Sequence, residues 1–209
     1  MPDKTAFEKN KKTTRKRKTT VEAPAKPAPA AGPVTQSLQS ESPAAAAAKI
    51  QELIEQLRRG DLATRSAAAK KLAQLGDRQA TSALTEALRD PTAEVAREAA
   101  GALGLLNDSA SLHALIDVVM NRDGYFHSLV RTAAAESLGQ MKNQSAVDAL
   151  VAAIRDPICE TSIAAIRALG KLGAAGAATA LQAVAKNADG YFLPQTQQAA
   201  VEVLVIISA

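Results

Sequence analysis

The sequence predicts an all-α superhelix, a solenoid of about five helical hairpins behind a disordered N-terminal tail. Three observations lead there. From about residue 44 onward the chain is built of Ala and Leu with almost no aromatics. Residues 78–143 are repeated in 144–209. A Leu near the end of a helix-length segment returns five times along the body.

The composition sets the first of these. Aromatic residues make up 2% of the chain and Trp is absent, although hydrophobic content reaches 47%. Large aromatic side chains carry much of the burial in compact cores. An Ala/Leu interior suits thin layers of closely approaching helices, and Ala is the strongest helix former.

The duplication is ungapped. At an offset of 66 residues, 25 of 66 positions are identical, far beyond chance even in an Ala-rich chain. Arg89-Asp90-Pro91 matches Arg155-Asp156-Pro157, Leu103-Gly104 matches Leu169-Gly170, and Asp123-Gly124-Tyr125-Phe126 matches Asp189-Gly190-Tyr191-Phe192. Each unit divides again, because Leu72, Leu103, Leu138, Leu169 and Leu204 follow one another at spacings of 31, 35, 31 and 35. Before each lies a stretch with apolar residues three and four apart, such as Ile50, Leu53, Ile54 and Leu57, which marks one helical face. Repeats are expected near 44–77, 78–108, 109–143, 144–173 and 174–209. Asp90-Pro91 and Asp156-Pro157 read as a capping Asp ahead of Pro at the first helical position. Gly60, Gly124 and Gly190 read as left-handed ends of first helices, and Gly76 and Gly173 as the same for second helices.

Charge separates the tail from the body. Residues 1–43 carry nine Lys/Arg and four Asp/Glu, leaving sixteen and seventeen for the rest, so +5 lies in the tail and −1 in the body. Lys11, Lys12, Arg15, Lys16, Arg17 and Lys18 concentrate the positive charge, and a Pro/Ala/Ser stretch follows them. Such a segment has too little periodic apolar surface to offset the entropy of ordering. A nucleic-acid-binding solenoid should carry its basic stripe in the body, and this one does not. The single Cys159 rules out an intramolecular disulfide and fits a reducing compartment. With no apolar run of membrane-span length and no signal-type apolar region after the basic start, a cytoplasmic location is expected.

The phrases from Val95-Ala96-Arg97 to Leu103-Gly104 and from Val130-Arg131 to Leu138-Gly139 resemble HEAT repeats. More narrowly they resemble the short HEAT-like type of phycobilisome lyases, over about 44–209. The resemblance implies an α-solenoid; relatives with this repeat include scaffolds, bilin lyases, DNA glycosylases and a di-iron hydroxylase. It also implies that recurrent Arg and Asp residues form a ladder between repeats, here Arg65, Arg97 and Arg131 with Asp61, Asp90, Asp123, Asp156 and Asp189. The alternative for the three arginines is a basic strip that binds a partner.

Catalytic chemistry finds little support in the residues. His113 and His127 are the only histidines and neither precedes Glu, so the His-Glu pairs of the hydroxylase relatives are absent. Cys159 reads as a packed thiol, and neither a metal nor a cofactor is expected. Four of the five aromatics sit in the two Asp-Gly-Tyr-Phe segments. Phe126 and Phe192 are expected to pack down, whereas Tyr125 and Tyr191 are expected to be exposed knobs that grip a partner. At the C-terminal end Val203, Ile206 and Ile207 are assigned to an exposed association edge, for a two-fold homodimer or another subunit.

The leading reading is a non-enzymatic scaffold or adaptor that holds a protein or peptide on its concave second-helix face or its turn edge. The alternatives are nucleic-acid or anionic-membrane association through the basic tail, and a lyase-type enzyme by family analogy.

Overall fold

The computed structural model describes residues 42–208. The tail expected over 1–43, with its basic run, lies essentially outside those residues. Among the described residues ten α-helices pair into five hairpins: α1 (Pro43–Arg59) with α2 (Leu62–Leu75), α3 (Thr81–Ala87) with α4 (Ala93–Leu106), and α5 (Ser109–Met120) with α6 (Ser128–Met141). α7 (Val147–Ala153) with α8 (Cys159–Leu172), and α9 (Ala178–Lys186) with α10 (Pro194–Ser208), complete the series. The described residues are an all-α solenoid.

The recurrent leucines are its axis. Leu72, Leu103, Leu138 and Leu169 are fully buried, and Leu204 is partly so. The second helices α2, α4, α6, α8 and α10 pack in sequence as one continuous layer. Small residues permit their close approach. A Cβ on Gly139 would lie 2.8 Å from the Ala168 Cα, and one on Gly104 would lie 2.5 Å from the Ser137 Cβ.

The helix ends differ from expectation. α4 and α8 begin at Ala93 and Cys159, after N-cap residues Thr92 and Ile158 that make no side-chain cap. Asp90 and Asp156 lie outside the helices, where each carboxylate accepts the amide two residues on, from Thr92 and Ile158. Gly60 ends α1 in an extended conformation with φ −69°. The left-handed caps of α5 and α9 are Asn121 and Asn187; Gly124 and Gly190, also left-handed, stand three residues farther on. Gly76 and Gly173 do cap α2 and α8 in the left-handed conformation.

Side-chain caps hold other helix starts. Asp61 accepts the Thr64 amide at 2.8 Å, and the Thr64 hydrogen bonds hold its carboxyl below the usual carboxylate range. For Asp108, partial burial pushes the carboxyl up. The Ser111 amide and Thr81 hydroxyl, both at 2.7 Å, outweigh that and bring it below the usual range.

Two kinds of clamp join neighbouring hairpins in alternation. Arg65 of the first hairpin donates to both oxygens of Asp90 in the second, at 2.8 and 3.1 Å. Arg131 of the third does the same to Asp156 of the fourth, at 2.7 and 2.8 Å. Each arginine also donates to a carbonyl five residues back, Gly60 or Phe126. Between the second and third hairpins the Tyr125 hydroxyl donates to the Arg89 carbonyl at 3.1 Å, with the Arg89 guanidinium 5.0 Å from the Tyr125 ring centre. Tyr191 makes the same bond to the Arg155 carbonyl at 3.0 Å, with that guanidinium 5.4 Å from its ring. Each Arg-Asp dipeptide is therefore a junction, reaching forward through Arg and receiving from behind through Asp.

Candidate protein-binding groove

The solvent side of the second-helix layer carries a groove of about 610 Å³ across α2, α4 and α6. Its floor consists of small residues, among them Ala73, Gly101 and Ala133, because a helix presents every third or fourth residue on one face. Leu105 and Leu129 form apolar walls and are 63% and 49% exposed. Lys70, Arg97, Glu98 and Glu136 supply a balanced set of charges at the rim. Glu98 stands between two cations, with Arg97 Nη2 at 2.6 Å and Lys70 Nζ at 3.7 Å. Both cations are about half exposed, so these pairs contribute little to stability.

Gly101 is the least expected member. It lies inside α4 with ordinary helical φ, and a Cβ built on it meets nothing within 4 Å. Gly in a helix interior is destabilising by roughly 0.5–1 kcal/mol relative to Ala. Neither packing nor backbone geometry within the hairpin stack requires that loss.

The sequence-nominated residues fall into distinct settings. Arg65 and Arg131 are the fourth residues of α2 and α6, while Arg97 is the fifth of α4. That single-residue offset turns Arg97 out of the ladder and into the groove. The ladder acceptors are Asp90 and Asp156 alone among the described residues; Asp61 caps α2, and Asp189 pairs with the exposed Arg155 at 3.0 Å. The Arg155 hydrogen bond holds the Asp189 carboxyl below the usual range. Gln197 stands where Arg65 and Arg131 stand, and it reaches back only to the Phe192 carbonyl at 3.2 Å.

Phe126 and Phe192 are buried, and Tyr125 and Tyr191 are half-exposed, each ring edge-to-face with its neighbouring Phe. Asn121 and Asn187, which the sequence reading passed over, hold these loops by accepting the Phe126 and Phe192 amides at 2.8 Å. Their repetition two residues ahead of each Asp-Gly was the available signal. Cys159 opens α8, with its sulfur 3.4 Å from the Thr196 hydroxyl. His113 and His127 are engaged locally, with Ser109 and Leu129. Among the described residues no three His, Cys, Asp or Glu side chains form a metal-sized group. No described helix is long and apolar enough to cross a membrane.

The association edge needs correction. Val203 is buried at 3% exposure and packs over Gly170, and Ile207 is partly buried against the core. Of the three only Ile206 is exposed; Val201 and Val205 stand out beside it, at 51% and 68%.

A stack of helical hairpins with a groove along its second helices is the architecture of a helical-repeat protein, and the comparisons agree on that class. The model for HEAT repeats matches residues 50–126 and 126–205. The chain belongs to the HEAT-repeat family. Among solved structures it is similar to a chain in the complex of CpcE and CpcF of phycocyanin lyase from Nostoc sp. PCC7120, at 25% identity and a TM-score of 0.60. That match covers 76% of this chain and 65% of the other, so the chain spans less than two thirds of its neighbour's length. A comparison with curated proteins finds no match.

Proposed function

We propose that this chain is a non-enzymatic scaffold that holds a protein partner in the second-helix groove. The observation that carries the reading is Gly101: helix stability is forgone where a side chain would fill the groove floor. A small-residue floor between two exposed leucines fits one large apolar side chain of the partner, and the balanced rim fits mixed charges around it. The solved neighbour is itself part of a two-protein complex, which supports a protein partner. A cytoplasmic setting suits the one unpaired thiol. The Arg65 and Arg131 side chains serve the stack in this reading, and Arg97 serves the groove.

The same neighbour favours a second reading, a subunit of a lyase, because CpcE and CpcF belong to phycocyanin lyase. Transfer of a chromophore to phycocyanin by the chain, alone or with a second subunit, would establish it.

A benzophenone amino acid placed singly at Leu105, Tyr125 or Glu52 tests where the partner sits. Irradiation in host cells is expected to give a discrete protein adduct from position 105 and none from position 52 on α1. An adduct confined to position 125 would move the site to the loop edge and overturn the groove.

A further inference from the structure

The chain has two histidines, and their Nδ1 atoms do opposite work. His113 Nδ1 lies 2.8 Å from the Ser109 carbonyl, which can only accept, so that nitrogen carries a proton and donates. Uptake of a second proton at Nε2 leaves this bond in place. His127 is the N-cap of α6, and its Nδ1 accepts the Leu129 amide at 3.2 Å. A nitrogen that accepts is unprotonated, so the ring that caps α6 is neutral, with its proton on Nε2. Protonation at Nδ1 turns this acceptor into a donor aimed at an N–H. It also sets a cation at the positive end of the helix dipole. Both changes oppose the first turn of α6.

What the cap holds is narrow. Phe126 before it and Val130 after it are both buried, so the core fixes the two flanks. Arg131, next along, is tied to Asp156 and to the Phe126 carbonyl. The residues left to the cap are Ser128 and Leu129, and Leu129 is an exposed wall of the groove. The other second helices do not share this device. Asp61 caps α2, α4 and α8 have no side-chain cap, and the residue equivalent to His127 in the duplicated unit is Leu193. The charged groups at this end of the neighbouring elements are Glu94 at the start of α4 and Glu160 at the start of α8. To these add Asp117, Arg122 and Asp123 at the end of α5 and in its turn, and Arg131 of α6 itself. Among the described residues none of them makes an ion pair or hydrogen bond with the His127 ring, which leaves the Leu129 amide as its polar partner.

We propose that His127 is a pH-sensitive catch on the groove: its neutral ring caps α6 and holds the Leu129 wall, and protonation releases that wall. This role rests on the groove being the partner's seat. The sign follows from the tautomer. The neutral ring makes the stabilising contact, so its contribution is present at higher pH and lost on acidification, across the range of about 8 to 5 in which histidine changes charge. A partner seated against Leu129 is held at neutral pH and let go in a mildly acidic setting.

Asn also caps helix starts but does not titrate, so His127→Asn separates the cap from its proton. Urea unfolding of the full chain at about pH 7.5 and about pH 5.5 reads the difference. On acidification the folding constant of the wild type is expected to fall about fivefold further than that of His127→Asn, the loss of one helix cap. His113→Asn is expected to follow the wild type. An equal fall in wild type and His127→Asn overturns the proposal, and no partner is needed to read it. Affinity for the protein captured from position 105 is the second measurement, taken as the ratio of wild type to His127→Asn so that the partner's own titrations cancel. That ratio is expected to drop about fivefold over the same interval. A constant ratio overturns release from the groove even where the urea difference is present. Absence of any adduct at position 105 overturns the groove and the release with it, while the urea difference would still establish the cap.

Discussion

Arg131→Ala is expected to lower the unfolding free energy by about 3–5 kcal/mol, because it strands a buried carboxylate. The Arg131 and Asp156 side chains are 9% and 7% exposed, and the guanidinium also satisfies the Phe126 carbonyl at 2.6 Å. Coulomb attraction alone does not set the size of this loss; desolvation of the abandoned Asp156 does. Two controls separate these. Arg65→Ala should be milder, since Arg65 is twice as exposed, at 18%. Replacing Arg131 by Met together with Asp156 by Leu should recover much of the loss, because no buried charge is then left unpaired. Urea midpoints read all three. An Arg131→Ala midpoint equal to wild type would show that the ladder does not hold the third and fourth hairpins together.

Gly139→Val is expected to destabilise by about 1–3 kcal/mol through overpacking. The added Cβ would meet the Ala168 Cα at 2.8 Å and its Cβ at 2.9 Å, and backbone cannot rotate aside as a side chain can. α6 and α8 must separate, which loosens the third of the four junctions in the second-helix layer. Gly170→Ala provides the contrast. There the neighbours are the Val203 methyls at 3.0 and 3.2 Å, which can shift, and a helical Ala offsets part of the strain. Equal midpoints for Gly139→Val and wild type would mean that the helices are not so closely packed.

The stack was legible because it is periodic: the 66-residue duplication and the recurrent Leu are one-dimensional facts that a linear stack preserves. Single-residue register was less legible. Arg97 shares the look of Arg65 and Arg131, but α4 starts one residue differently relative to it, and 100° of rotation moves it from ladder to groove. The Asp-Pro pairs look like helix starts because Asp and Pro favour them, yet here Asp accepts from its own turn and from the preceding hairpin. Val203 was misplaced because a run of apolar residues hides which face is buried, and Gly170 opposite it decides. The second-helix face and Arg97 were legible, but the floor and walls of the groove were not. Gly101, Leu105 and Leu129 come from two helices in different hairpins and look like ordinary amphipathic surface until the helices are placed side by side.

Filling the groove floor tests the central claim most directly. Gly101→Trp starts an indole from a position whose Cβ meets nothing within 4 Å, and Gly101→Ala is the control that adds the Cβ alone. Titration against the protein captured from position 105 is expected to show affinity weakened at least tenfold, about 1.4 kcal/mol, with the urea midpoint preserved. Unchanged affinity with an indole on the groove floor would contradict the account.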